Sequence, residues 1–195
     1  MLGGSFNPAH EGHLHITRLA FKRLKLDQVW WLVSPQNPLK STDDMAPFAE
    51  RMASARRLAA GDARILATDI ETRLNTRYTV DTLRALRTSF PRAHFIWLMG
   101  ADNLAQIPRW EKWVSIFHMV PIAVFDRATY SYRALASKAA YRFRRDRVPA
   151  RGAADAVLRQ PPVWVYFHTP QHPASATELR AQRRAAADQR RRRTG

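Results

Sequence analysis

Gly3-Gly4-Ser5-Phe6-Asn7-Pro8-Ala9-His10-Glu11-Gly12-His13 is the stretch on which the fold turns. Leu2 closes a short apolar start before it, and apolar positions Leu14, Ile16, Leu19, Ala20 and Leu24 recur behind it at helical spacing. The stretch therefore reads as a strand-to-helix turn. It contains neither the GxGxxG of dinucleotide sites nor the GxxxxGK of phosphate loops. Its glycines would let backbone approach a ligand, and a helix beginning near His10 offers unsatisfied amides at its positive dipole end. His10 and His13, three apart, share a face, and side chains there lean toward the helix N-terminus. Both imidazoles thus point at an anion site. A tight turn with two surface histidines would need no ligand; the pair with Gly12 between them, at the anion-binding end of a first βα turn, favours a phosphate.

Working outward, strand-like and helical patterns alternate. Val29 to Val33 reads as a strand stopped by Ser34-Pro35, and a loop rich in Pro, Asn and Ser runs to Pro47. Phe48 to Ala60 reads as a helix closed by Gly61, Arg64 to Ala67 as a short strand, and Val80 to Phe90 as a helix ended by Pro91. His94 to Met99 is a strand, Trp110 to His118 helical, Ile122 to Phe125 a strand, and Val163 to Phe167 the last strand before a helix at about 176–187. This alternation predicts an α/β fold, a Rossmann-like doubly wound parallel sheet covered on both faces, with no internal repeat. Ligands in such sheets bind beyond the carboxyl ends of the strands. The expected organisation is one domain over residues 1–187 and an Arg-rich tail, expected to be disordered, over 188–195.

The chain has 195 residues, of which 46% are hydrophobic. That is one domain's worth and too apolar for a disordered chain. The absence of cysteine excludes disulfides, thiolate zinc sites and thiol chemistry. No apolar run approaches the roughly 18 residues of a membrane helix, so a cytoplasmic protein without membrane contact is expected. The net charge of +16 is unevenly spread: residues 127–160, a basic and mainly helical insert, hold nine Lys/Arg and two Asp, and residues 180–195 hold seven Arg and one Asp. The remaining chain is nearly neutral, so no continuous cationic groove is implied. Nucleic acid is expected to bind only non-specifically, through those two segments.

The first turn resembles the (T/S)FxPxHxGH signature of the nucleotidylyltransferase superfamily, with His10-Glu11-Gly12-His13 matching HxGH without a gap. Near the end, Ala174-Ser175-Ala176-Thr177-Glu178-Leu179-Arg180 resembles its SSTxxR element. Ser175 followed by Glu178 would also serve as a plain capping box. Arg180 is not explained by a cap, because a cation in the early turns opposes the helix dipole unless an anion neutralises it. Between these ends, Gly100-Ala101-Asp102-Asn103-Leu104, Trp110-Glu111-Lys112-Trp113 and Tyr78-Thr79-Val80-Asp81-Thr82-Leu83 resemble the GADNL, WxxW and YTxDTL elements of the nicotinate-nucleotide adenylyltransferases.

That resemblance implies transfer of the adenylyl group of ATP to nicotinate mononucleotide by direct in-line attack, a step of NAD biosynthesis. His10, His13 and Arg180 would be the catalytic residues. ATP would be bound by Gly4, Ser5, His10, Gly12, His13, Ser175, Thr177 and Arg180. Lys40, Thr79, Val80, Asp102, Trp110 and Glu111 would bind the mononucleotide: Trp110 by stacking on the pyridine ring, Lys40 at its phosphate, and Thr79, Val80 and the Glu111 amide near the carboxylate. Asp102 could equally cap a short helix after Gly100, and Trp113 reads as core. No carboxylate cluster suggests a protein-built metal site, so Mg2+ would be held by the ATP phosphates and water. An enzyme preferring nicotinamide mononucleotide or phosphopantetheine stays open, with a basic nucleic-acid-binding protein behind both, as does the oligomeric state. Family members carry four or more apolar residues before the Gly-Gly pair, whereas Met1 and Leu2 alone precede it here. The expectation is an upstream start or a truncated central strand.

Overall fold

In the computed structural model, which describes residues 1–36, 45–126 and 131–169, strands and helices alternate as the periodicity requires. In chain order they are β1 (Leu2–Gly4), α1 (Glu11–Leu24), β2 (Val29–Val33), α2 (Phe48–Ala59), β3 (Ile65–Thr68), α3 (Ile70–Arg73), α4 (Thr79–Ser89) and β4 (Trp97–Gly100). There follow α5 (Ala101–Gln106), α6 (Trp113–Met119), β5 (Ile122–Phe125), α7 (Ser131–Leu135), α8 (Lys138–Arg142), β6 (Arg147–Val148), α9 (Ala153–Ala156) and β7 (Trp164–Phe167). The strands form one parallel sheet of order β3-β2-β1-β4-β5-β7-β6. The order reverses between the neighbouring central strands β1 and β4, whose onward connections run toward opposite edges. Their carboxyl ends make the crevice where such sheets bind ligands.

Two apolar clusters, one on each face, hold the sheet. Leu14, Ile16, Ala20 and Leu24 of α1 pack with Trp31, Val33, Met52 and Ala55 on one face. Val80, Leu83 and Leu86 of α4 pack with Trp97, Met99, Ile116 and Phe117 on the other. Each fully buried aliphatic side chain contributes about 1.5–3 kcal/mol relative to exposure. The strands themselves are buried on both faces, which is why β2, β4 and β5 read as continuous apolar runs rather than alternations.

Some boundaries differ from expectation. The strand expected from His94 begins at Trp97, because Pro91 and the residues after it form a turn. The helix expected from Trp110 begins at Trp113: Ile107–Arg109 is a 3-10 turn, Trp110 is extended at φ −82° and ψ 148°, and Lys112 is left-handed at φ 45°. Trp110 and Glu111 therefore sit in a connection, not on a helix. The short α3 and the two-residue strand β6 carry no periodic signal. The basic segment is helical in short pieces, α7, α8 and α9, and β6 pairs with β7 at the sheet edge. The expected helix at 176–187 and the 188–195 tail lie outside the described residues. No helix among the described residues is long and apolar enough to cross a membrane.

Candidate active site

The β1–α1 turn is held by an interlocked pair of imidazoles. His10 is the N-cap of α1, with extended backbone, and its Nδ1 accepts from the Gly12 amide at 3.1 Å. His13 reaches back, and its Nδ1 accepts from the His10 amide at 3.2 Å. The rings lie 4.0 Å apart, and Phe6 stacks on His13 at 4.5 Å. An Nδ1 that accepts a backbone N–H places the neutral ring's proton on Nε2. His10 meets that condition; His13 Nδ1 lies within reach of both the amide, at 3.2 Å, and the carbonyl, at 3.3 Å, of His10, and either tautomer is held there. The expectation that His10 and His13 share a face holds, with one refinement: His10 stands at the helix threshold rather than within the first turn.

The glycines of this turn serve by their size rather than by a left-handed backbone. No described glycine has positive φ; the left-handed residue is Phe6, at φ 47°. A Cβ on Gly3 would stand 2.5 Å from Cη2 of Trp97, so Gly3 is small to admit that indole from the neighbouring strand. Gly4 at the strand end has ordinary room, with Phe6 as its nearest neighbour at 3.5 Å. Gly12 is buried within α1 and supplies the amide that caps His10. Ser5 offers its carbonyl to Arg51.

Across the crevice, Thr79 and Val80 open α4, so their amides belong to the first turn and lack intrahelical acceptors. Asp102 lies in the first turn of α5, one residue beyond its start, and the cap is Gly100, so capping does not account for the carboxylate. Trp110 is half-buried and meets Trp97 edge to face at 6.3 Å. Glu111 is exposed in the turn before α6. Trp113 packs edge-on against Phe117 and Phe143 at 6.1 and 6.0 Å, in agreement with its reading as core. Lys40, Ser175, Thr177 and Arg180 lie outside the described residues.

Two buried ionisable groups at this end of the sheet escaped the sequence reading. Arg51 of α2, 2% exposed, bonds to four carbonyls around the turn. Its signal was available: it falls on the same helical stripe as Met52, Ala55 and Ala59, where a cation is out of place. Glu71 of α3 is 6% exposed, its Oε2 has no hydrogen-bond partner among the described residues, and burial pushes its pKa up to about 7 against a bond from Ser34. A four-residue helix gives no pattern from which to find it. Beyond β5 and β7, Asp126 Oδ1 accepts from Ser131 Oγ at 2.5 Å and from the Tyr166 hydroxyl at 2.9 Å. Burial, with that bond, pushes the Tyr166 hydroxyl up to about 12. No group of three or more His, Asp or Glu among the described residues is placed to hold a metal ion. A cleft of about 600 Å3 opens elsewhere, at the amino ends of the strands, and none of the expected site residues lines it.

This geometry can be set beside known proteins. A family model described as cytidylyltransferase-like matches residues 1–182. A protein of Parvibaculum lavamentivorans named "Probable nicotinate-nucleotide adenylyltransferase" is 53% identical over 92% of this chain and 89% of its own length. One of the same name from Caulobacter sp. is 51% identical over 92% of this chain and 95% of its own. The solved structure of Plasmodium falciparum nicotinic acid mononucleotide adenylyltransferase complexed with NaAD superposes with a TM-score of 0.67. At 16% identity over 91% of this chain and 79% of that one, it speaks to the fold alone. With half of its residues shared with such relatives over nearly its whole length, the chain belongs to the nicotinate-nucleotide adenylyltransferase family.

Proposed function

We propose that the protein transfers the adenylyl group of ATP to nicotinate mononucleotide, giving nicotinate adenine dinucleotide and pyrophosphate. The observation that carries this is the double imidazole cap. Two rings 4.0 Å apart, each tied through Nδ1 to the cap backbone, stand together at the head of a 14-residue helix. Imidazole N–H groups at such a place suit phosphate oxygens, and the helix dipole adds to their effect. In the reaction a phosphate oxygen of the mononucleotide forms a bond to the α-phosphorus of ATP. The bond from that phosphorus to the bridging oxygen of pyrophosphate breaks. Both reactants are anionic, so the protein's part is positioning and charge stabilisation.

His10 and His13 donate to the transferring group as negative charge spreads over its oxygens. Gly4, Ser5 and Gly12 border the adenosine, with Ser175, Thr177 and Arg180 on the outer phosphates and Lys40 on the mononucleotide phosphate. Trp110 offers its indole face to the pyridinium ring, and Asp102 lies beside the nucleotide. The first-turn amides of Thr79 and Val80, with that of Glu111, receive the carboxylate. Backbone donors favour the acid over the amide, because a carboxylate accepts two charge-assisted bonds and brings no NH2 to clash. The described residues build no cage for a divalent cation. Mg2+ would accompany ATP through triphosphate oxygens and water.

The test is pyrophosphate release from ATP with nicotinate mononucleotide, nicotinamide mononucleotide and phosphopantetheine as acceptors. The expected result is a kcat/KM for the nicotinate form above that of either other acceptor. A higher value for phosphopantetheine overturns the substrate class, and a higher value for the nicotinamide form overturns the acid preference.

A further inference from the structure

Arg51 carries a full positive charge into a place where, among the described residues, no carboxylate meets it. It is 2% exposed, and among the described residues it makes no ion pair with Asp or Glu. Its partners are all neutral carbonyl oxygens. Nη1 donates to Ser5 and to Ser34, each at 2.7 Å, Nη2 donates to Pro35 at 2.7 Å, and Nε donates to Ala46 at 3.0 Å. The Phe48 ring lies 5.3 Å from the guanidinium carbon. Burial draws its pKa down, yet a guanidinium does not lose its proton at neutral pH. A buried cation without a counter-ion is costly, and carbonyl dipoles offset that cost only in part.

The four carbonyls are not scattered. Ser5 belongs to the turn between β1 and α1, two residues from Asn7, whose Oδ1 accepts from the Ala46 amide at 3.2 Å. Ser34 and Pro35 follow directly on β2, and the Ser34 amide donates to Gly4 at 2.9 Å. One guanidinium therefore ties the carboxyl end of β1, the carboxyl end of β2 and the approach to α2 into a single unit. A trans peptide points its N–H opposite to its C=O. Gripping the carbonyl of Ser5 thus fixes the direction of the Phe6 amide, in the residue that takes the left-handed conformation. A neutral amide has two N–H donors and could not hold four carbonyls; the guanidinium does, and brings a permanent charge with it. Behind an anion-binding turn, that charge also adds to the field an anion meets on arrival.

We infer that Arg51 is a positioning residue for the phosphates of the reaction: it sets the backbone of the β1–α1 turn and supplies a buried positive charge for which bound phosphate is the counter-ion. This rests on the adenylyl-transfer reading for the identity of the phosphate, and not for the presence of an anion. Its reach is through the turn and through space, with no bond to substrate required. At the low effective dielectric of a buried site, such a charge is felt well beyond hydrogen-bond distance.

The experiment is calorimetric titration of inorganic pyrophosphate into the wild-type chain, Arg51→Gln and Arg51→Lys, with melting curves and adenylyl-transfer kinetics on the same samples. Arg51→Gln removes the charge and keeps some bonding; Arg51→Lys keeps the charge and loses most of the bonds. Pyrophosphate affinity is expected to fall at least tenfold in Arg51→Gln, with Arg51→Lys between it and the wild type and kcat following the same order. Affinity within twofold of wild type in folded Arg51→Gln overturns the inference, since a purely structural role lowers the melting temperature alone. Should Arg51→Gln not fold, Arg51→Lys decides well below its own melting temperature: a KM for ATP raised threefold or more supports the role, and an unchanged one overturns it. A wild-type chain that binds pyrophosphate but makes no dinucleotide overturns the adenylyl-transfer reading and leaves the charge role standing.

Discussion

The two banks of the crevice are built by different forces. On the β1–β2 side, nearly every group is placed by directional polar bonds: the His10 and His13 cap, the Arg51 carbonyl cluster, and Thr17, whose hydroxyl donates to the His13 carbonyl and accepts from Trp31 Nε1, both at 2.8 Å. On the β4 side, Trp110, Trp113 and Val80 are placed by apolar packing and by where helices begin. A hydrogen-bonded frame has steep angular preferences, whereas packed rings tolerate small shifts. Charge stabilisation needs the first kind of support, and holding a flat ring needs only the second.

The sharpest way to break this contrast is at the imidazoles. Replacing His10 or His13 with alanine should lower kcat by 10² to 10³, about 2.7–4 kcal/mol of transition-state stabilisation, with smaller changes in KM. Steady-state kinetics on variants that keep their helical circular dichroism check this, and near-normal kcat in both would remove the catalytic role from this bank.

Glu71 tests the same bank through pH. Its carboxyl stays neutral in the fold where the unfolded chain, with a pKa of 4.5, has already ionised it. The stability it contributes is complete below pH 4.5 and is lost as pH rises through about 7. Glu71→Gln should flatten that dependence and gain up to about 3 kcal/mol above pH 7, from the size of the displacement. Urea unfolding at pH 5 and pH 8 reads it; parallel pH profiles for the two proteins would mean that the carboxyl ionises freely.

Smaller effects are expected across the crevice. Trp110→Ala should weaken mononucleotide binding by about 1–3 kcal/mol and leave ATP affinity within a few-fold. Equal losses for both ligands would make Trp110 part of the core instead. Trp113→Leu should cost about 1 kcal/mol of stability through its lost edge contacts with Phe117 and Phe143, and leave both KM values unchanged. A raised mononucleotide KM in that variant would show that packing and binding on this bank are not separable.

The same division explains what the sequence could disclose. Strands buried on both faces announce themselves as apolar runs, so β2, β5 and β7 were legible almost to the residue. The His10/His13 pair was legible because spacing three on a helix brings side chains together. That His10 Nδ1 takes the Gly12 amide and His13 Nδ1 the His10 amide was not, since a capping box is ordinarily sought among Ser, Thr, Asp and Glu. Arg51 stood on an apolar stripe and was passed over because a helix with many charges hides one more. Glu71 and the start of α6 at Trp113 depend on turns, at Asn75 with φ 50° and Lys112 with φ 45°, whose left-handed geometry neither residue type demands.

Gly3 and Trp97 join the two banks in a way that constrains how this chain can change. The indole of Trp97 occupies the space that any side chain at position 3 would need. The two residues are 94 positions apart in the chain, yet they share one volume across the β1–β4 pair. Substitutions at them can therefore accumulate in only one order. A smaller residue at 97 must come first, leaving a void and a loss of stability, before a larger one at 3 can fill it. The reverse order drives a methyl group into a ring. The pair is one coupled volume at the centre of the sheet, and what either position accepts is set by the residue at the other.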